Sequence, residues 1–179
     1  MTIRRDVSAV VNALKADKRV LRLKSNFDTK AIFNLDTARL YDEILSYHKI
    51  REIRRLNPQE PKFLEHLLKA NTDDQTYRSR MTEIMVECGR ANSVLEKSVD
   101  YLTQYFITAY SPELKSYRTA VERAYVIKAA LKPFYDYINE VTSVKEAALM
   151  VVKDIDTAAW SLKLSVSIMQ MHHSPERNL

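Results

Sequence analysis

Residues 81–109 read MTEIMVECGRANSVLEKSVDYLTQYFITA, and the spacing of their apolar positions indicates the fold class. One set of positions recurs in alternating steps of three and four: Met81, Ile84, Cys88, Ala91, Leu95, Ser98, Leu102, Tyr105 and Ala109. Steps of three and four place side chains along one face of an α-helix. An apolar face of about 30 residues is longer than most helices in single-domain proteins. We therefore predict a long helix that packs through this face.

The only glycine of the chain, Gly89, lies inside this stretch. Tight turns between strands rely on glycine to reach positive φ, so a chain with one glycine and five prolines is predicted to be all-α. The same scarcity excludes phosphate-cradling loops, dinucleotide-binding turns and nucleophile elbows. Asp154 and Asp156 point about 200° apart on a helix and form no acid–base pair. We expect neither an enzyme nor a cofactor.

The apolar rhythm after residue 75 predicts three helices of similar length, at about 75–110, 112–140 and 143–171, packed as an up-down-up bundle. Ser111-Pro112-Glu113 is typical of a helix start, and Ser143 with Glu146 forms a capping-box pattern. Pro133 is expected to kink the middle helix. Residues 140–143 are either a sharp turn or a bend in a continuous helix. Long apolar faces on three helices favour self-association into an oligomer.

Before the bundle, the chain is predicted to begin with a basic helical arm at 1–24. A connector and two short helices follow at 25–71, the first of them at about 36–56 and the second closed at Asn71. Thr72 with Gln75 gives the capping-box pattern that is expected to start the bundle at 72–171. Residues 172–179 are expected to form a polar tail.

All the excess positive charge of the protein lies near its beginning. Residues 1–60 carry 13 Lys and Arg against 8 Asp and Glu, whereas residues 61–179 carry 15 of each. Such an asymmetry indicates contact with a polyanion, and Lys and Arg bind phosphates. The candidate nucleic-acid-binding residues are Arg4, Arg5, Lys15, Lys18, Arg19, Arg22, Lys24, Arg51, Arg54 and Arg55. The alternatives are a solvated helix, a protein or membrane-surface partner and, for the second cluster, simple capping of a helix dipole.

Tyrosine, histidine and cysteine could each form a binding or reactive site, but their positions in the sequence favour structural roles. Ten tyrosines could stack on unpaired bases, but most lie beside the apolar faces, which favours packing. His172 and His173 are adjacent and point about 100° apart on a helix, so no metal site is predicted. Cys88 lies on the apolar face of its helix and is expected to be buried and unreactive.

The sequence also favours a cytoplasmic location. The first residues lack the apolar run of a secretory signal, and the longest uninterrupted apolar stretch, Ala147 to Val152, is far too short to span a membrane. A single cysteine can form no internal disulfide and gives no sign of an oxidising compartment. We expect a cytoplasmic protein, in the host cytoplasm if it belongs to a phage.

The segment from about residue 76 to 160 contains four linked motifs. They are DYLTQYFITAY at 100–110, SPELK at 111–115, TAVERAYVIKAALKPFYDYI at 119–138 and SVKEAALMVVKDI at 143–155. This arrangement resembles the phage recombination mediators that help to load a recombinase onto single-stranded DNA. The resemblance implies a small, non-enzymatic, ring-forming helical protein that binds single strands. Members of the family have glycine and basic residues near the last turn, where this sequence has Glu140-Val141-Thr142-Ser143. The resemblance therefore assigns no DNA-contact residue to the C-terminal helices.

The charge asymmetry and the resemblance together predict a helical accessory protein without catalytic activity. It would bind nucleic acid, single-stranded DNA in particular, through its basic N-terminal region and self-assemble through its bundle. A recombination mediator is the specific form of this prediction. The alternative is a structural, adaptor or inhibitor protein that binds another protein through its apolar helical faces.

Overall fold

The computed structural model describes residues 7–29, 35–54 and 61–172, with the backbone alone described for 165 and 168–172. These residues form helices and no strand. The helices are α1 (Val7–Lys15), α2 (Lys18–Thr29), α3 (Thr37–Ile53), α4 (Phe63–Ala109), α5 (Ser111–Leu114), α6 (Ala120–Ala130) and α7 (Lys132–His172). The all-α prediction is confirmed.

Helix α4 begins earlier than the sequence pattern predicts. It runs without interruption through Asn71 and Thr72, where the sequence predicts the end of one helix and the cap of another. The Thr72 hydroxyl donates to the Leu68 carbonyl at 3.0 Å, four residues back within the helix, instead of capping a new one. The predicted boundary at residue 71 is wrong, because this position has neither the glycine nor the proline that would end a helix.

The chain between the two long helices is also more broken than predicted. A short helix α5 follows Tyr110, and α6 begins after Thr119, whose hydroxyl accepts from the Glu122 backbone while the Glu122 carboxylate accepts from the Thr119 amide. Pro133 is the second residue of α7 instead of a kink inside a helix. Proline suits this first turn, because an amide there has no intrahelical partner to lose. The prediction of three helices of similar length is therefore wrong.

Residues 140–143 are part of α7, which settles the two alternatives in favour of a continuous helix. The Ser143 hydroxyl donates to the Asn139 carbonyl at 3.0 Å, so it does not form the predicted capping box. Next to it, the Thr142 hydroxyl accepts a 2.8 Å hydrogen bond from the amide of Asn92 on α4. This pairing provides a partner for Asn92, the one buried polar side chain among the described residues.

The helices divide into two compact units. Unit 1 comprises Met1–Thr37 and Glu87–Ser143, and unit 2 comprises Ala38–Val86 and Val144–Leu179. Both long helices contribute to both units, since α4 passes from unit 2 into unit 1 and α7 passes back. The two units differ from the predicted arm, connector and bundle, because each unit combines segments that are far apart in the sequence.

The buried face of α4 follows the predicted spacing from Met81 to Leu95 and then shifts by one residue. Val99 and Phe106 are buried, one residue after the predicted positions Ser98 and Tyr105, which are only half-buried. Leu102 is buried as predicted, and Ala109 is exposed. The step from Leu95 to Val99 is four where the rhythm predicts three. Such a stutter rotates the apolar face of a helix slightly relative to a strict heptad.

The core of unit 1 includes the basic N-terminal helices. Val10 and Leu14 of α1 and Val20 and Leu23 of α2 are buried together with side chains of α4, α5, α6 and α7. Helix α1 packs against α6. The basic helices are therefore not a separate arm. Their apolar faces are part of the hydrophobic core of unit 1, and their exposed charges lie on the opposite faces.

Unit 2 has its own buried residues: Leu40, Ile44, Ala70, Met81, Ile84, Val144, Ala148, Val151 and Ile155. The predicted apolar face of α7 holds from Val144 to Ile155 and then ends. Beyond it Ala158 and Val166 are exposed, and Leu162 is half-buried. The rings of Tyr47 and Tyr77 stack at a centroid distance of 4.5 Å.

Candidate nucleic-acid interface

The start of helix α2 is fixed by the carboxylate of Asp17. It accepts hydrogen bonds from the backbone amide of Arg19 at 2.7 Å and from the hydroxyls of Tyr110 and Tyr105 at 2.8 and 3.3 Å. Burial alone would raise the pKa of Asp17, but these donors outweigh it and the pKa lies below its usual value. Burial and the bond to Asp17 raise the pKa of Tyr110 to about 12. The basic helix therefore has a defined position on unit 1.

The same cluster orients the first arginine of α2. The Arg19 guanidinium lies over the Tyr105 ring, 3.5 Å from its centroid. A cation over an aromatic face is attracted by the ring quadrupole, and stacking restrains the long side chain. Arg19 is also near the charge of Asp17. Its position is thus well defined, although part of its charge is balanced.

A groove opens between this side of α2 and the adjacent surface of α4, which we call the basic groove. Its volume is about 390 Å³. Its walls are formed by Arg19, Arg22, Leu23 and Asn26 of α2 and by Lys97, Ser98, Tyr101 and Leu102 of α4. Within the described part of the chain, three cations and no carboxylate line it. A phosphate in such a groove is attracted by these cations, and no carboxylate of the lining opposes it.

The basic groove combines cations with an exposed aromatic ring. Lys97 and Tyr101 are four residues apart on α4 and therefore lie on one face of that helix. Tyr101 is 60% exposed, which leaves its ring open to solvent. No ion pair to Arg22 or Lys97 is found among the described residues. An unpaired base can stack on such a ring while the neighbouring cations contact its phosphates.

The remaining predicted cations are distributed unevenly. Lys15, Lys18 and Lys24 are all exposed. Lys24 lies about 200° around α2 from Arg22, so it faces away from the basic groove. Arg4, Arg5 and Arg55 lie outside the described residues. Among the predicted N-terminal residues, the structure therefore brings Arg19 and Arg22 together at one site.

The second predicted cluster has carboxylate partners in unit 2. Asp74 accepts from Arg51 Nε at 3.3 Å and from Arg54 Nη1 at 2.9 Å. Arg54 Nη1 also donates to the Ala70 carbonyl at 2.9 Å, and its Nη2 lies 3.7 Å from Asp73. The side chains of Arg51 and Arg54 are 15% and 19% exposed. Their role in binding nucleic acid stays a prediction, and these contacts give them a structural role.

Sequence reasoning did not single out Lys97 and Tyr101. Their spacing of four residues beside the apolar face of α4 was the available signal. What the sequence could not show is that α2 lies next to this part of α4, because that proximity depends on tertiary packing. The expectation that most tyrosines pack holds for Tyr105, Tyr110, Tyr117, Tyr135 and Tyr137, which lie against the core of unit 1.

Two further findings concern the described residues alone. They contain no group of three or more His, Cys, Asp or Glu side chains that could hold a metal ion. No helix that they form is both long enough and apolar enough to cross a membrane. The prediction that Cys88 is buried is confirmed.

Comparison of the chain with protein-family models, curated proteins and solved structures found no match. The resemblance to recombination mediators therefore stays a prediction.

Proposed function

We propose that this protein is a non-enzymatic helical accessory protein that binds single-stranded nucleic acid in the basic groove of unit 1. The observation that carries the proposal is the open ring of Tyr101 beside Arg22 and Lys97. Cations supply affinity for any phosphate backbone, whereas an exposed ring favours bases that are free to leave a duplex. Action as a recombination mediator on single-stranded DNA is the specific form that the sequence resemblance implies.

Self-assembly is the second part of the proposal. Large apolar side chains remain exposed on helices of both units, including Val121 and Tyr125 on α6 and Ile53, Leu64 and Leu68 in unit 2. Exposed apolar residues of this size are typical of surfaces that contact another protein. A second copy of the chain would cover some of them.

Point changes test the groove better than removal of residues 1–24, which would also remove the buried Val10, Leu14, Val20 and Leu23. Binding of a labelled single-stranded oligonucleotide is measured by anisotropy across a salt series. We expect Arg22→Gln and Lys97→Gln each to lower the slope of log affinity against log salt by about one, because each removes one phosphate contact. Tyr101→Ala should weaken binding by about 1–3 kcal/mol without changing the slope.

Lys24→Gln is the matched control, because it removes the same charge from the opposite side of α2. A slope that changes as much for Lys24→Gln as for Arg22→Gln would show that charge alone attracts the strand and that the groove is not its site. Binding that is absent, or that is independent of salt, would remove the proposal.

The exposed apolar residues also support a second candidate, a structural or adaptor protein that binds another protein through its helices. Mass by light scattering with and without single-stranded DNA distinguishes the two. A change of mass on addition of the DNA supports the first proposal. A mass that DNA leaves unchanged, together with no anisotropy signal, supports the second.

A further inference from the structure

The only tryptophan of the chain, Trp160, lies on α7 in unit 2 and is 65% exposed. It lies beyond Ile155, which is the last buried residue of this helix among those whose side chains are described. An exposed tryptophan ring is large and flat, and it is available to stack on a ligand. The residues that share its side of the helix indicate the chemistry of that ligand.

Two lysines flank Trp160 on one side of α7. Lys153 precedes it by two turns and Lys163 follows it by three residues, so all three lie within an arc of about 80°. Lys153 and Lys163 are both exposed. We call this surface the Trp160 face. It combines a ring with cations on both sides along the helix.

The acidic residues of this segment do not cancel those lysines. Asp156 is bound by Arg78, whose Nε and Nη2 donate to its two carboxylate oxygens at 2.8 and 3.5 Å. The bidentate ion pair balances its charge within unit 2. Asp154 lies about 120° around the helix from Trp160. The face therefore carries a net positive charge from Lys153 and Lys163.

The geometry points to the Trp160 face as a second contact site for single-stranded nucleic acid, with a base stacked on Trp160 and phosphates bound by Lys153 and Lys163. The inference rests on the proposed function and extends it to unit 2. A lipid surface fits less well, because Leu164 is the single large exposed apolar neighbour of the ring on this side within two turns, fewer than a membrane-binding face presents. Stacking on an exposed ring between cations is how single strands are bound without sequence preference.

Because Trp160 is the only tryptophan, its fluorescence reports on this face alone. Unlabelled oligodeoxythymidylate is titrated into the full chain while Trp160 emission is followed, and anisotropy of a labelled oligonucleotide is measured in parallel at the same salt concentration. We expect a saturable change of Trp160 emission that follows the anisotropy curve. Trp160→Ala should weaken binding by about fivefold to a hundredfold, and Trp160→Phe should restore part of the loss.

The paired substitution Lys153→Gln with Lys163→Gln should weaken binding and lower the salt slope by about two, since each lysine contributes one phosphate contact. Lys153→Gln and Lys163→Gln alone should each lower the slope by about one, whereas the control Lys145→Gln, at an exposed position about four turns away on α7, should leave it nearly unchanged. Circular dichroism of every variant checks that the helices are retained.

The outcomes separate the two proposals. No anisotropy change with the wild-type protein would remove both. An anisotropy change with unaltered Trp160 emission and wild-type affinity in the variants would remove only the Trp160 face. A shift of Trp160 emission to shorter wavelength on concentrating the protein alone would assign the face to a second copy. The same shift on vesicles of phosphatidylglycerol would assign it to a membrane, and either result would overturn the inference.

Discussion

In unit 2, carboxylates bind Arg51, Arg54 and Arg80, whereas no carboxylate lines the basic groove of unit 1 within the described part of the chain. Arg51 and Arg54 share Asp74, and Arg80 binds Glu43 through two hydrogen bonds of 2.7 and 3.1 Å. The Arg80 guanidinium holds the pKa of the Glu43 carboxyl below its usual value. In unit 1, Arg22 and Lys97 stand beside an open tyrosine ring instead.

The difference shows that a cluster of cations in the sequence does not by itself indicate a binding surface. Both clusters satisfy the same charge pattern along the chain, but Asp74 lies 20 residues beyond Arg54 on another helix and supplies its partner. The acidic residue decides whether an arginine stabilises the fold or remains available for a ligand.

The comparison requires that the basic helices of unit 1 are held by their apolar faces, and Leu14→Ala tests this with the largest expected effect. Leu14 is fully buried, so we expect its truncation to lower the free energy of unfolding by about 3 kcal/mol. Denaturant unfolding followed by circular dichroism measures it. Leu21→Ala on the exposed side of α2 should cost less than about 1 kcal/mol. Equal losses would show that α1 is not packed as described.

The next largest effect concerns unit 2. Asp74→Asn removes the charge that Arg51 and Arg54 share, and we expect the free energy of unfolding to fall by about 2 kcal/mol. Asp73→Asn is the control: this carboxylate is 40% exposed and lies 3.7 Å from Arg54, so its loss should cost less than about 1 kcal/mol. Unchanged stability together with tighter oligonucleotide binding would break the comparison, because it would make Arg51 and Arg54 ligand-binding residues restrained by Asp74.

The smallest effect is a dependence on pH in unit 1. The pKa of Asp17 is lowered in the folded state, so its ionised form stabilises the fold. That contribution is complete above the ordinary carboxyl pKa, near 4, and is lost as the pH falls through the lower folded value. We expect Asp17→Asn to cost about 1 kcal/mol at neutral pH and progressively less on acidification. Unfolding measured across a pH series checks it.

Asp100→Asn, a change at an exposed position on α4, is the control and should cost less than about 0.5 kcal/mol at neutral pH. If the cost of Asp17→Asn were the same at every pH, the Asp17 carboxylate would not be the group that fixes the start of α2.

The fold class was predictable from the sequence because it depends on local properties. One glycine and the three-four rhythm of residues 81–95 specify a long helix, and the burial of Cys88 follows from its place in that rhythm. The boundaries were less predictable. Ser143 and Thr72 match the capping-box pattern, but serine and threonine also occur inside helices. There their hydroxyls donate to carbonyls four residues back, as both do in this structure.

The candidate site was predictable only in part, because it depends on tertiary contacts as well as on local sequence. Arg19 and Arg22 were identified from charge, but Lys97 and Tyr101 join them through contact between α2 and α4, which are about 75 residues apart in sequence. Pro133 shows that the effect of a proline could not be predicted from the sequence either. Its effect on a helix depends on where the helix begins, and that is determined by the break at Leu131, whose φ and ψ of −94° and 8° are not those of a regular α-helix.

Because Cys88 is completely buried, the reactivity of its thiol reports on local opening around the middle of α4. A thiol reagent can reach this sulfur only when the surrounding helices separate, so the rate of modification in the native protein measures how often they do. Since Cys88 is the only thiol, the signal comes from a single place. Adding an oligonucleotide during such labelling would show whether its binding at the surface changes how often the helices around Cys88 separate.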